Sequence, residues 1–215
     1  MKRDAAYVCV TRDGLAPWKK LAQTLPKARE LGFECAVAVD SRTSDLTEDF
    51  VGRFAAVQRF VNDKPYCEDA LNPLIDSTQA EWIWVISDDE EPSDALWDFN
   101  PKDKLIYRPH ILTPLPGGTH HYGPMETYQP RIFPRDSLRF PRFLGIDVLP
   151  QTNLAEHDIP EVLWHYTLCA PRDYRERKAD EHERAWNENY YVHPEPYPGR
   201  KSYLWEDHPE LAIAL

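Results

Sequence analysis

The sequence predicts an α/β fold in which a mostly parallel sheet carries helices on both faces, followed by a loop-rich second half and a C-terminal helix. Three observations carry that expectation. Short runs of consecutive apolar residues alternate with amphipathic stretches through the first half of the chain, the pattern of β-α-β units around a sheet buried on both sides. Each apolar run stops at polar residues: Thr11-Arg12-Asp13, Asp40-Ser41-Arg42 and Ser87-Asp88-Asp89. Of the prolines, 20 against 8 glycines, most fall after residue 90, so regular structure is expected before that point and loops after it.

Taken in order, Ala5 to Val10 reads as the first buried strand. Pro17 suits the first turn of a helix whose apolar face is Trp18, Leu21, Leu25, Ala28 and Leu31, with Pro26 as a kink and Gly32 as the stop. Phe33 to Val39 is a second strand, and Ser44 or Asp45 is placed to cap a short helix running to about Arg53. Ala55 to Val61 is a weaker third strand, and Tyr66 to Gln79 a helix bent by Pro73. Trp82 to Ile86 is a fully apolar fourth strand, after which Pro92 forbids central-strand continuation and Ser93 caps a helix over Asp94 to Trp97. Beyond it, Lys104 to Leu112 is expected to pair at the sheet edge and residues 114–124, with His120 and His121, to form a mobile loop. Tyr128 to Phe133, Leu138 to Phe143 and Val162 to Leu168 are short strand candidates. Pro171 to Tyr190 is the last helix, anchored by Tyr174, Trp186 and Tyr190, and the tail through Pro194, Pro196 and Pro198 is extended up to an apolar patch at Leu211 to Leu215.

Composition limits the partners. A net charge of −11 argues against broad binding to nucleic acid or anionic membrane. It disfavours a nucleic-acid acceptor without excluding one. No apolar run approaches the roughly 18 residues of a membrane span, and the apolar stretch after Met1-Lys2-Arg3-Asp4 is too short for a signal peptide. Cys9, Cys35, Cys67 and Cys169 are scattered, with no C-x-x-C pair, and read as core residues of a cytoplasmic protein.

The chemistry concentrates where the fourth strand surfaces. Asp88, Asp89, Glu90 and Glu91 are four consecutive carboxylates at a strand's carboxyl end, the place where open α/β sheets hold ligands. Carboxylates crowded there repel one another and gain from a shared divalent cation. A solvated acidic turn is the competing reading.

Several segments resemble a GT-A glycosyltransferase of the family 2 type, which uses nucleotide-sugar donors. Residues Ala36 to Asp45, AVAVDSRTSD, resemble the family's strand ending in VDSGSTD, and Trp82 to Glu90, WIWVISDDE, resemble WVLFLDADE with its metal-binding D-x-D. Pro130 to Arg135, PRIFPR, resemble PRLFRR; Val162 to Tyr166 followed by Arg177-Lys178 resemble the HY…K close of the domain. Asn72 stands at the spacing of RNAAL ahead of the acidic motif. The resemblance spans about residues 5–190, which it implies are the transferase domain, with 191–215 as an extended tail. Three departures accompany it: Ser87 replaces the first Asp, Leu71 replaces Arg, and the family's HE element has no clean match, Asp147 in Gly145-Ile146-Asp147 lying near its place.

On that resemblance the chain is expected to move a sugar from a nucleoside diphosphate donor, with a UDP-sugar favoured, to an acceptor the sequence does not name, inversion being the expected stereochemistry. Mn2+ or Mg2+ is the implied cofactor, with Asp89, Glu90 and His165 as ligands; a one-residue slip pairs Asp88 with Glu90 instead. Thr11, Arg12, Asp40, Asn72, Asp88, Arg131 and Lys178 are the candidates for the nucleotide and its phosphates. Asp40 is placed to read the base, a carboxylate accepting from the N3–H of uracil. Asp147, among apolar neighbours Phe143, Leu144, Ile146, Val148 and Leu149, is the candidate catalytic base, its pKa raised by desolvation, with Glu126, Asp136, Glu156 and Asp158 behind it. Two other readings stay open: a nucleotidyltransferase making nucleotide sugars, and a non-catalytic nucleotide-sugar-binding protein.

Overall fold

The computed structural model describes residues 3–60, 68–123, 126–137, 140, 154–188, 203–207 and 209–215. In chain order its elements are β1 (Ala5–Thr11), α1 (Leu21–Glu30), β2 (Glu34–Asp40), α2 (Thr47–Val51), β3 (Ala56–Phe60), α3 (Glu68–Ser77), β4 (Trp82–Val85), β5 (Glu90–Pro92) and α4 (Asp94–Asp98). There follow β6 (Ile106–Leu112), β7 (His120–Tyr122), β8 (Thr127–Tyr128), β9 (Ile132–Pro134), β10 (Glu156–His165), α5 (Arg172–Glu188) and β11 (Ala212–Ala214).

One large sheet runs in the order β3-β2-β1-β4-β9-β6-β10-β5, with β8 on β6. Strands β1 to β4 are parallel, as is the β6–β10 pair, while β9 and β5 enter antiparallel. This is the mixed α/β architecture the alternating pattern predicts. Strand β1 reads as a continuous apolar run because both of its faces are covered. Tyr7 and Cys9 join one core with Leu21, Leu25, Trp84 and Leu163, whereas Ala6 and Val8 join the other with Leu74, Ile75, Ile83 and Phe133. Cys35, buried against the first core, has its thiol pushed up to about 11 by burial, as expected of a packing residue.

Several expectations need correction. The first helix starts at Leu21, not at Pro17, because residues 12–19 fold back to deliver Lys19 into the sheet's rim; the N–H groups of Lys20 and Leu21 both donate to the Asp88 carbonyl, at 2.7 and 3.2 Å. Gly32 closes that helix at φ 83, the left-handed conformation glycine adopts at no cost. The Lys104–Leu112 segment is no edge strand: β6 lies between β9 and β10, since β10 pairs with it in parallel. Pro109 lacks an N–H for that ladder, and the register of β10 shifts opposite it, between Ile159 and Val162, an irregularity of the kind that absorbs a strand proline. Residues 120–122 form a strand because the C-terminal patch pairs with them, Ile213 facing His121. Nothing local in either segment signals that pairing. Neither Ser44 nor Asp45 is the N-cap of α2: that position is Leu46, with no side-chain cap, and Asp45 just ahead of it accepts from Thr47 N at 2.9 Å through Oδ1. Ser93 Oγ does cap α4, accepting from Leu96 N at 3.2 Å. The positions of Asp147, Tyr190 and most of the Leu138–Phe143 segment lie outside the described residues.

Candidate functional site

The site is made where β4 ends and β5 begins. Residues 87–91 turn through a hydrogen bond from Glu90 N to Ser87 O (3.0 Å), and β5 then runs back along β10, with His165 opposite Glu90 and Trp164 opposite Glu91. A further bond from Tyr166 N to the Asp89 carbonyl, 2.7 Å, stitches the turn to the end of β10. The sheet itself therefore carries His165 to the acidic turn.

Every acid in the turn meets a cation. Asp88, 8% exposed, accepts from Lys19 Nζ at 2.5 Å and from Thr11 Oγ1 at 2.6 Å. Lys19 Nζ also donates to the Arg12 carbonyl at 2.5 Å. Burial pushes the Asp88 carboxyl up, Lys19 and Thr11 pull it back, and the adjacent Asp89 adds to the rise. The Lys19 ammonium, desolvated in its turn, is nevertheless held above its ordinary range by the Asp88 carboxylate. Asp89, 4% exposed, has Oδ2 at 3.4 Å from His165 Nε2 and 3.8 Å from Lys178 Nζ. Burial raises its pKa, but His165, Lys178 and Lys19 outweigh burial and hold Asp89 far below the usual carboxylate range. Glu90 is almost fully enclosed at 1% exposure; Arg131 donates to both of its oxygens, at 2.8 and 3.3 Å, and Ser87 N to one of them at 2.8 Å. Glu91 faces Lys20 Nζ at 3.6 Å, and that ammonium lies 3.8 Å from the Tyr166 ring centroid.

Lys178 arrives from α5 and rests on Thr167 Oγ1 at 3.3 Å. Burial alone would lower its pKa; the oxygens around it, from Tyr203, Asp89, Tyr174 and Asp88, raise it. Asp40 ends β2 at 2% exposure, and Arg42 wraps it: its backbone N–H donates at 2.9 Å, Nε at 3.0 Å and Nη2 at 2.5 Å. Arg12 is more exposed, its Nε 3.9 Å from Asp13 Oδ2. Asn72 stands apart from the turn, its side-chain amide donating to Phe140 O (2.8 Å) and accepting from Phe140 N (2.9 Å). Of the candidate residues, the structure thus brings together Thr11, Asp88, Asp89, His165 and Lys178, ties Glu90 to Arg131, and uses Asn72 to hold Phe140. The other carboxylates weighed as bases all have partners: Asp136 has Arg135, Glu156 and Asp158 share Arg108, and Glu126 bonds His110 at 2.6 Å and His121 at 3.3 Å.

No protein-family model matches the sequence, and no curated protein does. Solved structures do. The mannosyltransferase PcManGT from Pyrobaculum calidifontis, solved with GDP-Man and Mn2+, superposes with a TM-score of 0.53 at 14% identity, over 98% of this chain and 71% of its own. Residues 1–349 of S. aureus TarS give 0.51 at 14% identity, over 86% of this chain and 66% of theirs. The chain has a GT-A-like glycosyltransferase fold. It spans just under two thirds of that TarS structure and 44% of a longer TarS chain, matched at a TM-score of 0.50 and 11% identity.

Within this GT-A-like frame, sequence reasoning missed Lys19, Lys20 and Thr167, and gave Tyr166 no task beyond its place in the HY motif. The expected helix from Pro17 left Lys19 and Lys20 outside its apolar face and without a task. Their role depends on the bend at Asp13, whose φ of 50 lies in the left-handed region and whose carboxylate accepts from Ser44 N at 2.7 Å. The one available signal was a Lys-Lys pair directly ahead of an apolar helix, close to an acidic strand end.

Proposed function

We propose that this chain transfers a sugar from a nucleoside diphosphate donor, binding the diphosphate at Asp89, His165 and Lys178. The convergence of those three side chains at the carboxyl rim of a GT-A-like sheet carries the reading. Asp89 is kept anionic, which metal ligation requires. Its Oδ2 and the His165 Nε2 stand 3.4 Å apart, near the separation of about 3 Å between adjacent ligands of an octahedral ion with ~2.1 Å bonds. Among the described residues no group of three or more His, Cys, Asp or Glu side chains could hold a metal, so donor phosphate and water would complete the shell. A divalent ion there would neutralise the charge that develops on the departing diphosphate. That PcManGT was solved with GDP-Man and Mn2+ supports this choice of ligand.

The chain's own residues have separable tasks. Lys178, fixed by Thr167, offers a second positive charge to the phosphates. Asp88, Lys19 and Thr11 form a buried base beneath the turn, and the Glu90–Arg131 pair locks its far side. Asp40 recognises the nucleobase, with uracil favoured, and the acceptor hydroxyl gives its proton to a general base, for which Asp147 is the candidate. Glu90 is better employed on Arg131 than on a metal, so Asp89 and His165 are the ligands proposed. A nucleotidyltransferase would present its basic loop outward after β1, whereas Lys19 turns inward onto Asp88 and the Arg12 carbonyl.

The test is a panel of nucleoside diphosphate sugars, assayed by thermal shift and by release of free nucleoside diphosphate, each with Mn2+ and with a chelator. Stabilisation by one donor together with slow Mn2+-dependent release supports a transferase. Stabilisation without release over hours would leave a binding protein, and no stabilisation by any donor would reject the reading.

A further inference from the structure

The C-terminal segment returns to the site through one buried guanidinium. Arg175, 3% exposed on α5, donates Nε to the Ala170 carbonyl at 3.0 Å, Nη1 to the Tyr203 carbonyl at 2.5 Å and to Glu206 Oε2 at 2.9 Å, and Nη2 to Glu206 Oε1. Outside this clasp Arg172 Nη2 reaches Asp207 Oδ2 at 3.1 Å. Farther along, β11 pairs with β7 and Leu215 N donates to the Thr119 carbonyl at 3.1 Å. A buried guanidinium is costly unless its charge and its fork of donors are matched. Among the described residues that fork is met by the Ala170 carbonyl and two groups of the tail, so docking the tail is built into α5.

The clasp sits three residues, less than one helical turn, from Lys178. Arg175 fixes the Tyr203 backbone, and the Tyr203 ring, 7% exposed, has its centroid 5.8 Å from Lys178 Nζ. That ammonium is therefore bounded by Thr167 Oγ1 at 3.3 Å, Asp89 Oδ2 at 3.8 Å and the aromatic ring. We infer that Tyr203 is a positioning residue for Lys178, and that the C-terminal segment forms part of the wall against which the donor's diphosphate binds. The inference rests on the reading of Lys178 as a diphosphate contact. The ring attracts the ammonium through its face and denies the long, flexible side chain the rotamers that lead away from Asp89. An aliphatic residue in its place would keep the tail's backbone clasp but release the amine.

Calorimetric titration of the full chain with UDP and with GDP, each with Mn2+, tests this. Lys178→Met is expected to weaken diphosphate binding, and Tyr203→Leu to weaken it by about three- to thirtyfold, the ratio spanned by partly to fully desolvated cation–π contacts. Tyr203→Phe, which keeps the ring, should bind within about twofold of wild type. The double variant Lys178→Met with Tyr203→Leu should lose no more than Lys178→Met alone, a coupling that a merely structural tyrosine would not show. Wild-type affinity in Tyr203→Leu, or additive losses in the double variant, would overturn the role of Tyr203 while leaving the donor site standing. Wild-type affinity in Lys178→Met would instead remove the donor contact on which the inference rests. Should Tyr203→Leu not fold, Glu206→Gln loosens the same clasp from a half-exposed position; it is expected to weaken diphosphate binding, and unchanged affinity overturns the inference.

Discussion

His165 Nε2 lies 3.4 Å from Asp89 Oδ2, and the pair is held there by backbone rather than by chance. Antiparallel pairing of β5 with β10 sets His165 opposite Glu90, and the Tyr166 amide bonds the Asp89 carbonyl. A carboxylate and an imidazole fixed in this way cost a cation little reorganisation on binding. Asp89→Ala is accordingly expected to abolish the Mn2+ dependence of nucleoside diphosphate binding. His165→Ala should weaken Mn2+-supported binding by at least the roughly 10- to 100-fold that loss of even an outer-shell partner of a metal ligand costs. Calorimetry with and without Mn2+ reads both, and equal affinities in wild type and Asp89→Ala under the two conditions would rule out metal binding at this turn.

The acidic stretch shows how far sequence reaches. That four carboxylates follow a buried strand, and that they sit at the carboxyl rim of the sheet, was legible from Trp82–Glu91. Their electrostatics were not. The stretch reads as a cluster waiting for a cation, whereas Lys19, Lys178 with His165, Arg131 and Lys20 each answer one acid. Those partners come from α1's approach, α5, the start of β9 and β10, and no local pattern records such pairings. The parallel half of the sheet was legible for the opposite reason: β1, β2 and β4 are buried on both faces, so hydrophobic runs and helix periods suffice, and only the edge strand β3 is half-exposed. The place of β6 within the sheet depended on β10, a strand with Asp158, Pro160 and Glu161 in its interior, whose apolar pattern is too weak to announce a central neighbour.

Lys19 is expected to matter for stability as much as for binding. Its ammonium and the Asp88 carboxylate are both buried, and removing one partner of a buried pair leaves an uncompensated charge, at a cost of about 3–5 kcal/mol. Lys19→Met should therefore unfold at clearly lower urea. Adding Asp88→Asn removes the stranded charge, so the double variant should recover most of the loss. A double variant no more stable than Lys19→Met would show that the packing of the lysine stem, and not charge, is what the site requires.

Gly14 is a second, steric test of the same buried base. A Cβ at this position would stand 2.4 Å from Thr11 Oγ1 and 2.6 Å from Leu21 Cδ2. Thr11 cannot yield without lengthening its hydrogen bond to Asp88, and Leu21 is packed in the core. Gly14→Ala is expected to destabilise by about 1–3 kcal/mol, the usual cost of overpacking. Equilibrium denaturation measures it. A neutral result would mean that the 12–19 segment shifts freely, and with it Lys19.

Asp40 supplies the last prediction, because the carboxylate that Arg42 holds is also the one proposed to read the base. Burial raises its pKa, but the side chain and backbone of Arg42 outweigh burial and hold it below the usual carboxylate value. A group whose folded pKa is depressed contributes stability that is fully present above its unfolded pKa, about 3.9 for Asp, and that is lost as pH falls through the folded value. Arg42→Met removes the cause of the depression. Its destabilisation relative to wild type should therefore be largest near neutral pH and shrink as pH falls below about 4. A difference independent of pH would assign the effect of Arg42 to packing alone. Asp40→Ala, which removes the acceptor altogether, then separates structure from recognition. If the carboxylate accepts from the N3–H of uracil, this variant should weaken UDP by about 1–3 kcal/mol, the scale of a lost charged hydrogen bond, while ADP, which lacks that donor, loses less. Equal losses for both nucleotides would make Asp40 a brace for the 40–45 turn, which it already holds by accepting from Arg42, and would move base recognition elsewhere on the rim.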